Sequence, residues 1–372
     1  MKVLVTGGAG FIGSYTTDLL VEKGYEVRVL DNLEPQVHQN GMPNYLNDSI
    51  EFVSGDIQDK KMWKKVLTDV DAIIHLAAMV GVGQSMYKPV KYLSVNTVGT
   101  GVMYEAILEN PTIKKQIQKI VVASSKSIYG EGAYNCKTHG ILYPNHRAVP
   151  QLEKKDWEVH CHICGEYVEP VGITEDKPAQ NLSVYALSKY DAERIAIDFG
   201  VALDIPTIAF RYFNVYGPRQ SLSNPYTGVI AIFLSRLKNG KPPVVYEDGN
   251  QVRDFIYIED IAQANLLALG DKRNMVDVFN VGSGKPTSLN EILDILIELT
   301  GKEEISPDIT QRFRVGDNRH DFSDISKIKK TFNFKPKYEL KNGLKKLIEW
   351  AEKEKAVDNF KEAEEERLKY LG

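Results

Sequence analysis

Apolar positions in the first 130 residues fall into short runs of two kinds. Residues 2–6 alternate and are β-branched, and the spacing from Ile12 through Leu19, Leu20 and Val21 to Gly24 is helical. Residues 26–30 read as a second strand ending at Asp31. A polar loop over 32–48 follows, then a third strand at 50–56, a helix at 60–67 and a buried fourth strand at 72–76. A long helix over 95–108 and a fifth strand over 120–125 complete the series. Strands that alternate with helical spacing predict a parallel, doubly wound sheet with helices on both faces. From Gly130 to about Asp176 the periodicity lapses, and Gly, Pro, His and aromatic residues mix. Regular spacing resumes with a helix over 184–200 and a buried strand over 206–211. Beyond Gly217 the chain reads as a smaller α/β region. It has a helix at 229–238, polar strands near 244–246, a strand at 278–281 returning to the main sheet, and a helix over 288–300 with Ser288 or Asn290 as N-cap. Apolar spacing over the charged stretch 340–370 is helical.

The first strand runs straight into Gly7-Gly8-Ala9-Gly10-Phe11-Ile12-Gly13 and then into a helix. Gly7, Gly10 and Gly13 allow a tight turn and close backbone approach, and the free N–H groups at the helix start suit a pyrophosphate. Asp31, at the end of the second strand, can accept from both ribose hydroxyls and would repel a 2′-phosphate. No Arg follows it directly, so the expected dinucleotide is NAD rather than NADP. Asp56 and Ile57, and Leu76, Ala77 and Ala78, sit at strand ends beside the same crevice. The first pair is expected near the adenine; helix packing is the plainer account of Ala77 and Ala78.

The chain has 372 residues, 46 Lys plus Arg against 50 Asp plus Glu, and a formal charge of −4; the pI is about 6.1. Neither suggests a nucleic-acid surface. The apolar runs are too short to span a bilayer, and the first strand begins at residue 2, leaving no room for a targeting segment. The expectation is a soluble, cytoplasmic protein. The three cysteines all fall within 136–164.

Tyr185 and Lys189 lie four apart at the start of a helix and so share a face. A nearby ammonium and a positive nicotinamide ring would lower the tyrosine pKa towards that of a usable base. Tyr87 and Lys91 share the spacing, but Pro89 lies between them and they read as surface loop. Ser124 and Ser125 end the fifth strand on the ligand side of the sheet, where a hydroxyl can orient a substrate alcohol.

These motifs, with Asp31-Asn32-Leu33, His75-Leu76-Ala77-Ala78, Ser124 through Gly130, Arg211 through Gln220 and Arg253-Asp254-Phe255-Ile256-Tyr257, run in family order over nearly the whole chain. The chain resembles the extended short-chain dehydrogenases/reductases of the NAD-dependent epimerase/dehydratase family. The resemblance implies a Rossmann domain over 1–217 carrying an insert at 131–180, and a nucleotide-sugar-binding domain over 218–372 whose strand near 276–282 returns to the Rossmann sheet. It implies Tyr185 as catalytic base and acid, with Lys189 holding the nicotinamide ribose and Ser125 on the reacting hydroxyl. Asn32, Asn96 and Tyr212 would line a tightly held NAD. Ser127, Asn214 and Arg253 would meet the substrate, Arg253 as a fork on the diphosphate. Arg314 would meet phosphate and Asp317 the nucleotide ribose. A homodimer through the helices near 96–108 and after 184 is also implied.

Dehydratases of the family carry an Asp-Glu pair directly after the catalytic hydroxyl residue. Lys126 and Ser127 stand there instead, which leaves 4-epimerisation of a dTDP- or UDP-linked sugar as the default. A net NAD-linked oxidoreductase or decarboxylase and a non-catalytic dinucleotide sensor are the competing readings. In the insert, Cys136-x-x-His139-Gly and Cys161-x-x-Cys164-Gly are two knuckle halves offering three thiolates and an imidazole, a set suited to a structural zinc near the substrate mouth. A mobile cluster of free cysteines is the plainer alternative. The insert, Asp31 through His38 and Val315 through His320 are similar to the dTDP-L-rhamnose 4-epimerase branch. Tyr15 stands where that family often has His. Lys126, unusual beside Ser125, is either solvated or a contact for an acidic sugar, and the latter keeps UDP-glucuronate and other UDP-sugars open.

Overall fold

A computed structural model of the chain describes residues 1–39, 41–226 and 228–371. Seven parallel strands form the main sheet in the order Val276–Val281, Thr207–Tyr212, Lys119–Ser125, Ala72–His75, Lys2–Thr6, Glu26–Asp31, Glu51–Ser54. The order reverses between Lys2–Thr6 and Ala72–His75, and the carboxyl ends of those strands open a crevice. Apolar side chains from alternate positions bury both faces. Val3, Val5 and Phe210 pack under the helix Ile258–Gly270 on one side, and Leu4, Ile73 and Ile120 under the helices around Trp63 and Ile107 on the other. Burial on both faces is what near-continuous apolar strands require.

The later half builds a second core around Phe233, Tyr257 and Leu293, with helices Val229–Lys238, Leu289–Thr300 and Leu340–Ala351 packed together. Ser288 caps Leu289–Thr300 in a capping box with Glu291. After this region has begun, the strand Val276–Val281 returns to pair in parallel with Thr207–Tyr212 over six residues. Among the described residues no helix is long and apolar enough to cross a membrane.

Three elements differ from the sequence expectation. The helix expected over 95–108 is an α-helix only from Gly99 to Leu108; Leu93–Val98 forms a π-turn before it. The insert is not structureless. Ala133–Cys136 pairs antiparallel with both Gly140–Leu142 and Glu169–Val171, a sheet too short to leave a period in the sequence. The single helix expected over 340–370 is two, Leu340–Ala351 and Phe360–Leu371, separated by a segment tied down by Arg236 and Lys241 on Asp358.

Candidate active site

The Gly-rich turn is compact because nothing larger fits. Gly7 has a φ of +67°, and a Cβ there would lie 2.8 Å from the Ala77 backbone; one at Gly13 would lie 2.0 Å from the Gly7 carbonyl oxygen. The turn delivers Gly10 as N-cap of the helix Phe11–Glu22, with no side chain covering its first N–H groups. Asp31 stands beside it, each carboxylate oxygen accepting one backbone N–H, from Ala9 (3.1 Å) and Leu33 (2.8 Å). That geometry fixes the carboxylate and leaves lone pairs for two ribose hydroxyls. Gly7, Gly10, Phe11, Ile12 and Gly13 line one cleft of about 820 Å³ together with Asp31, Asn32, Asp56, Ile57 and Leu76 through Ala78. Asn32 donates to Asp56 (3.1 Å), joining the second and third strand ends. The donor turn, the ribose-facing acid and the cleft volume fit a dinucleotide.

Further along the same cleft lie Ser125, Tyr185, Lys189, Tyr212 and Asn214. Ser125 ends a strand and caps the short 3₁₀ turn Lys126–Tyr129, so its hydroxyl accepts from Ser127 N (3.2 Å) and lies 2.5 Å from Ser127 Oγ. Tyr185 is the second residue of the helix Val184–Leu203, whose N-cap Ser183 accepts from Ala186 N. Burial pushes the Tyr185 phenol above the usual tyrosine range, opposed by the nearby hydroxyls of Ser125 and Ser127. The positive end of its helix also favours a phenolate there. One turn on, burial pulls Lys189 down to about 8 against the attraction of Glu193. The ammonium is therefore mostly charged at neutral pH and sits where it can stabilise a tyrosinate.

A buried polar layer holds these groups. Glu193 accepts from Ser124 (2.6 Å) and from Arg211 through two nitrogens (2.6 and 2.9 Å). Arg211 in turn donates to the Tyr129 hydroxyl, which donates to Asn280. The i+4 spacing from Lys189 was the available signal for Glu193, and the sequence reading passed over it. Asn96, expected on the cofactor, is 2% exposed and lies behind the wall. Its amide pairs with both backbone groups of Met79 and donates to Ser188 (2.9 Å) on the helix of Tyr185. The π-turn is what aims it there. His75 is also internal. Its Nδ1 accepts from Thr6, its Nε2–H donates to Thr100, and burial lowers its pKa to about 3. Tyr212 donates to Asn265 (2.6 Å). Arg219, to which no role was given, reaches the cleft between the rings of Tyr15 and Tyr45, paired with Asp18.

The residues expected on the substrate diverge. Asn214 reaches the cleft while donating to the Asp254 carbonyl (2.9 Å). The Arg253 guanidinium is turned inward, donating to the carbonyls of Val252, Asn318 and Arg319 and paired with Asp321, and it is not among the residues lining the cleft. Lys126 is neither solvated nor aimed at a sugar; it pairs at 2.7 Å with Asp321, itself 1% exposed. Arg314 and Asp317 pair with each other (2.8 Å), Arg314 lying 4.5 Å from the Tyr246 ring. Tyr87 is no bare loop residue: its hydroxyl meets Tyr226 and Glu366.

In the insert, the side-chain ligand atoms of Cys136, His139, Cys161 and Cys164 all lie within 4.8 Å of one another. The His139 Nδ1 is 3.5 Å from both the Cys136 and Cys161 sulfurs, and Cys136 and Cys164 sulfurs are 3.7 Å apart. Tetrahedral zinc bonds of about 2.3 Å to sulfur and 2.0 Å to nitrogen give edges of about 3.8 Å and 3.5 Å. The four groups fit that metal.

A family model described as GDP-mannose 4,6 dehydratase matches residues 4–145, and one described as the NAD dependent epimerase/dehydratase family matches 161–282. The dTDP-L-rhamnose 4-epimerase of Burkholderia thailandensis is 35% identical over 356 residues, 95% of each chain. The UDP-glucose 4-epimerase of Thermotoga maritima, solved with UDP-glucose, superposes with a TM-score of 0.74 at 32% identity, over 95% of this chain and 99% of that one. The UDP-glucuronic acid 4-epimerase of Bacillus cereus, solved with UDP-glucuronic acid and NAD, gives 0.77 at 26% identity over the same shares. With the Gly-rich turn, Asp31 and the Tyr185–Lys189 pair gathered in one cleft, the chain belongs to the NAD-dependent epimerase/dehydratase family, as an enzyme of its nucleotide-sugar epimerases.

Proposed function

We propose that the protein is a nucleotide-diphosphate-sugar 4-epimerase that keeps its NAD through the cycle, with dTDP-L-rhamnose and dTDP-6-deoxy-L-talose as its sugar pair. The observation that carries this reading is that Ser125, Tyr185 and Lys189 line one cleft with the Gly-rich turn. When bound, NAD+ supplies a hydride acceptor for C4 and a donor for its return. Tyr185 takes the O4 proton, Ser125 orients that hydroxyl, and Lys189 lowers the cost of the phenolate. The ketosugar turns so that the opposite face of C4 would meet the returning hydride, and Tyr185 gives the proton back to O4. Dehydration would need an acid and a base beside Ser125. Ser127 is neither, and the Lys126 ammonium is committed to Asp321.

A neutral 6-deoxyhexose is favoured over a uronate by the pairing of two cations that line the cleft and of one beside Ser125. Lys91 is paired with Glu34, Arg219 with Asp18 and Lys126 with Asp321. Incubation with dTDP-L-rhamnose, UDP-glucose and UDP-glucuronate in parallel, with products resolved by NMR, tests the reading. The expected result is a C4 epimer of the rhamnose nucleotide with no build-up of NADH. Stoichiometric NADH or loss of CO2 would replace it with a net oxidoreductase or a decarboxylase.

The Cys136, His139, Cys161 and Cys164 cluster is assigned to a structural zinc, supported by the tetrahedral edges. Four protein ligands leave no position for a catalytic water. Metal analysis of the purified protein should give one zinc per chain. The exposed Val98, Leu108, Leu187 and Val201 along the helices after 96 and 184 support a homodimer through those faces; light scattering at twice the 41.9 kDa chain mass is the check.

A further inference from the structure

The insert grips one segment of the later half with unusual density. The Glu131 carboxylate, fully buried, accepts from the backbone N–H of Arg319 and His320. The Arg147 guanidinium donates to the Asp317 carbonyl (3.0 Å) and pairs with Glu247. Glu158 takes the Arg319 guanidinium on one oxygen and His320 Nε2 on the other (2.9 Å). Gly132 lies so close to the His320 carbonyl oxygen that a Cβ would come within 2.0 Å. At the exit of the insert, Ile173 bonds to Phe322 and Asp324 through its backbone. Arg319 is 1% exposed and is shared between Glu158, Glu247 and Asp248. Arg314 and Asp317 sit in this gripped segment.

The metal cluster governs whether the grip can close. Cys136 ends the strand Ala133–Cys136, which starts two residues after Glu131, and Cys161 lies three residues after Glu158. One tetrahedral ion therefore fixes the Glu131 side of the insert to the Glu158 side, and the two carboxylates meet the same residues, Arg319 and His320. Without the ion, the Glu158 loop keeps its polar contacts and a small apolar core of Tyr134, Leu142, Val159 and Val168, two further members of which, Cys136 and Cys161, are the ligands themselves.

We infer that the insert is a metal-buttressed clamp, with Glu158 and Arg147 as positioning residues that set the segment 312–321 for binding of the nucleotide diphosphate. This rests on the reading that Arg314 and Asp317 meet the substrate nucleotide. The gripped segment reaches the Ser125 end through Asp321, which pairs with Lys126, but Glu158 and Arg147 themselves contact Asp317, Arg319, His320 and Glu247, so replacing them acts on nucleotide affinity more than on hydride chemistry.

The test uses full-length, NAD-loaded protein with dTDP and UDP as probes in calorimetry, and the epimerisation assay for KM and kcat. Glu158→Gln and, separately, Arg147→Lys are expected to weaken binding of the preferred probe and raise KM by about tenfold, with kcat within about twofold of wild type. Hydrogen exchange on the wild-type protein, with and without chelator, should show residues 312–321 losing protection on zinc removal while the Gly7–Gly13 turn keeps it. Unchanged protection of 312–321 after verified zinc loss overturns the clamp, as does a fall in kcat at constant KM and probe affinity. Arg314→Ala separates the two ideas. If it leaves probe affinity intact, the nucleotide reading fails; if it weakens binding while Glu158→Gln and Arg147→Lys do not, the clamp alone fails.

Discussion

At the Tyr185 end of the cleft the candidate catalytic side chains leave from regular elements; Arg314 and Asp317, which are not among the residues lining the cleft, leave from a loop. Ser125 closes a strand paired on both sides, and Tyr185 and Lys189 project from one helical turn whose N-cap is satisfied. Their positions follow from backbone hydrogen bonds, and the layer of Glu193, Arg211 and Asn96 only refines them. Arg314 and Asp317 belong to no long element, and their segment is placed by residues more than a hundred positions away, Arg147 through a hydrogen bond to the Asp317 carbonyl and Glu158 through an ion pair with Arg319. Chemistry that tolerates little displacement sits on the rigid half. On the proposed reading of Arg314 and Asp317, nucleotide recognition falls where a few charged contacts decide the geometry.

The contrast can be broken at either end. The largest effect is expected from Tyr185→Phe, which should lower turnover by about 10³-fold or more while the protein still carries NAD; residual activity of several per cent would remove Tyr185 from the proton-transfer role. Gly13→Ala comes next. Its methyl cannot coexist with the Gly7 carbonyl, so the variant should be purified without NAD, read by absorbance after denaturation. Cys161→Ser should release the metal and lower the melting temperature by about 5 °C or more, with catalysis per NAD-loaded molecule largely kept at saturating substrate; no change in metal content or melting would dismiss the zinc. Lys126→Met should cost about 1–3 kcal/mol, since Asp321 would stay buried with only part of its pairing, yet leave the preference among the three sugar nucleotides unaltered. The smallest effect concerns His75. The folded protein holds it neutral down to about pH 3, whereas the unfolded chain binds a proton near 6.5. Stability therefore falls on acidification below about 6.5, by about 1 kcal/mol between pH 6.5 and 5.5 from this residue, and His75→Asn should flatten that part of the melting-temperature profile.

The rigid half was largely legible in the sequence, because strands buried on both faces write continuous apolar runs and a Gly-rich turn writes its own steric need. The π-turn at Leu93–Val98 was not, since one extra residue per turn leaves apolar spacing almost unchanged over so short a stretch. The sheet of the insert escaped because its strands are three or four residues long and its core is partly sulfur. The partner of Arg253 and Lys126 was illegible for one reason. A cation's residue type fits a phosphate or a carboxylate equally well, and the partner of both, Asp321, lies 68 and 195 positions away. Long-range ion pairing leaves no local mark.

The strand Val276–Val281 also bears on redesign. It completes the dinucleotide sheet after the chain has already entered the sugar-nucleotide lobe, so the two lobes are interleaved along the polypeptide. A chimaera that borrows another relative's specificity by a single crossover near residue 217 would carry a foreign edge strand against Thr207–Tyr212. Grafts that respect the weave need paired junctions, one before Val276 and one after Val281, and the segment 312–321 must travel with the insert that grips it.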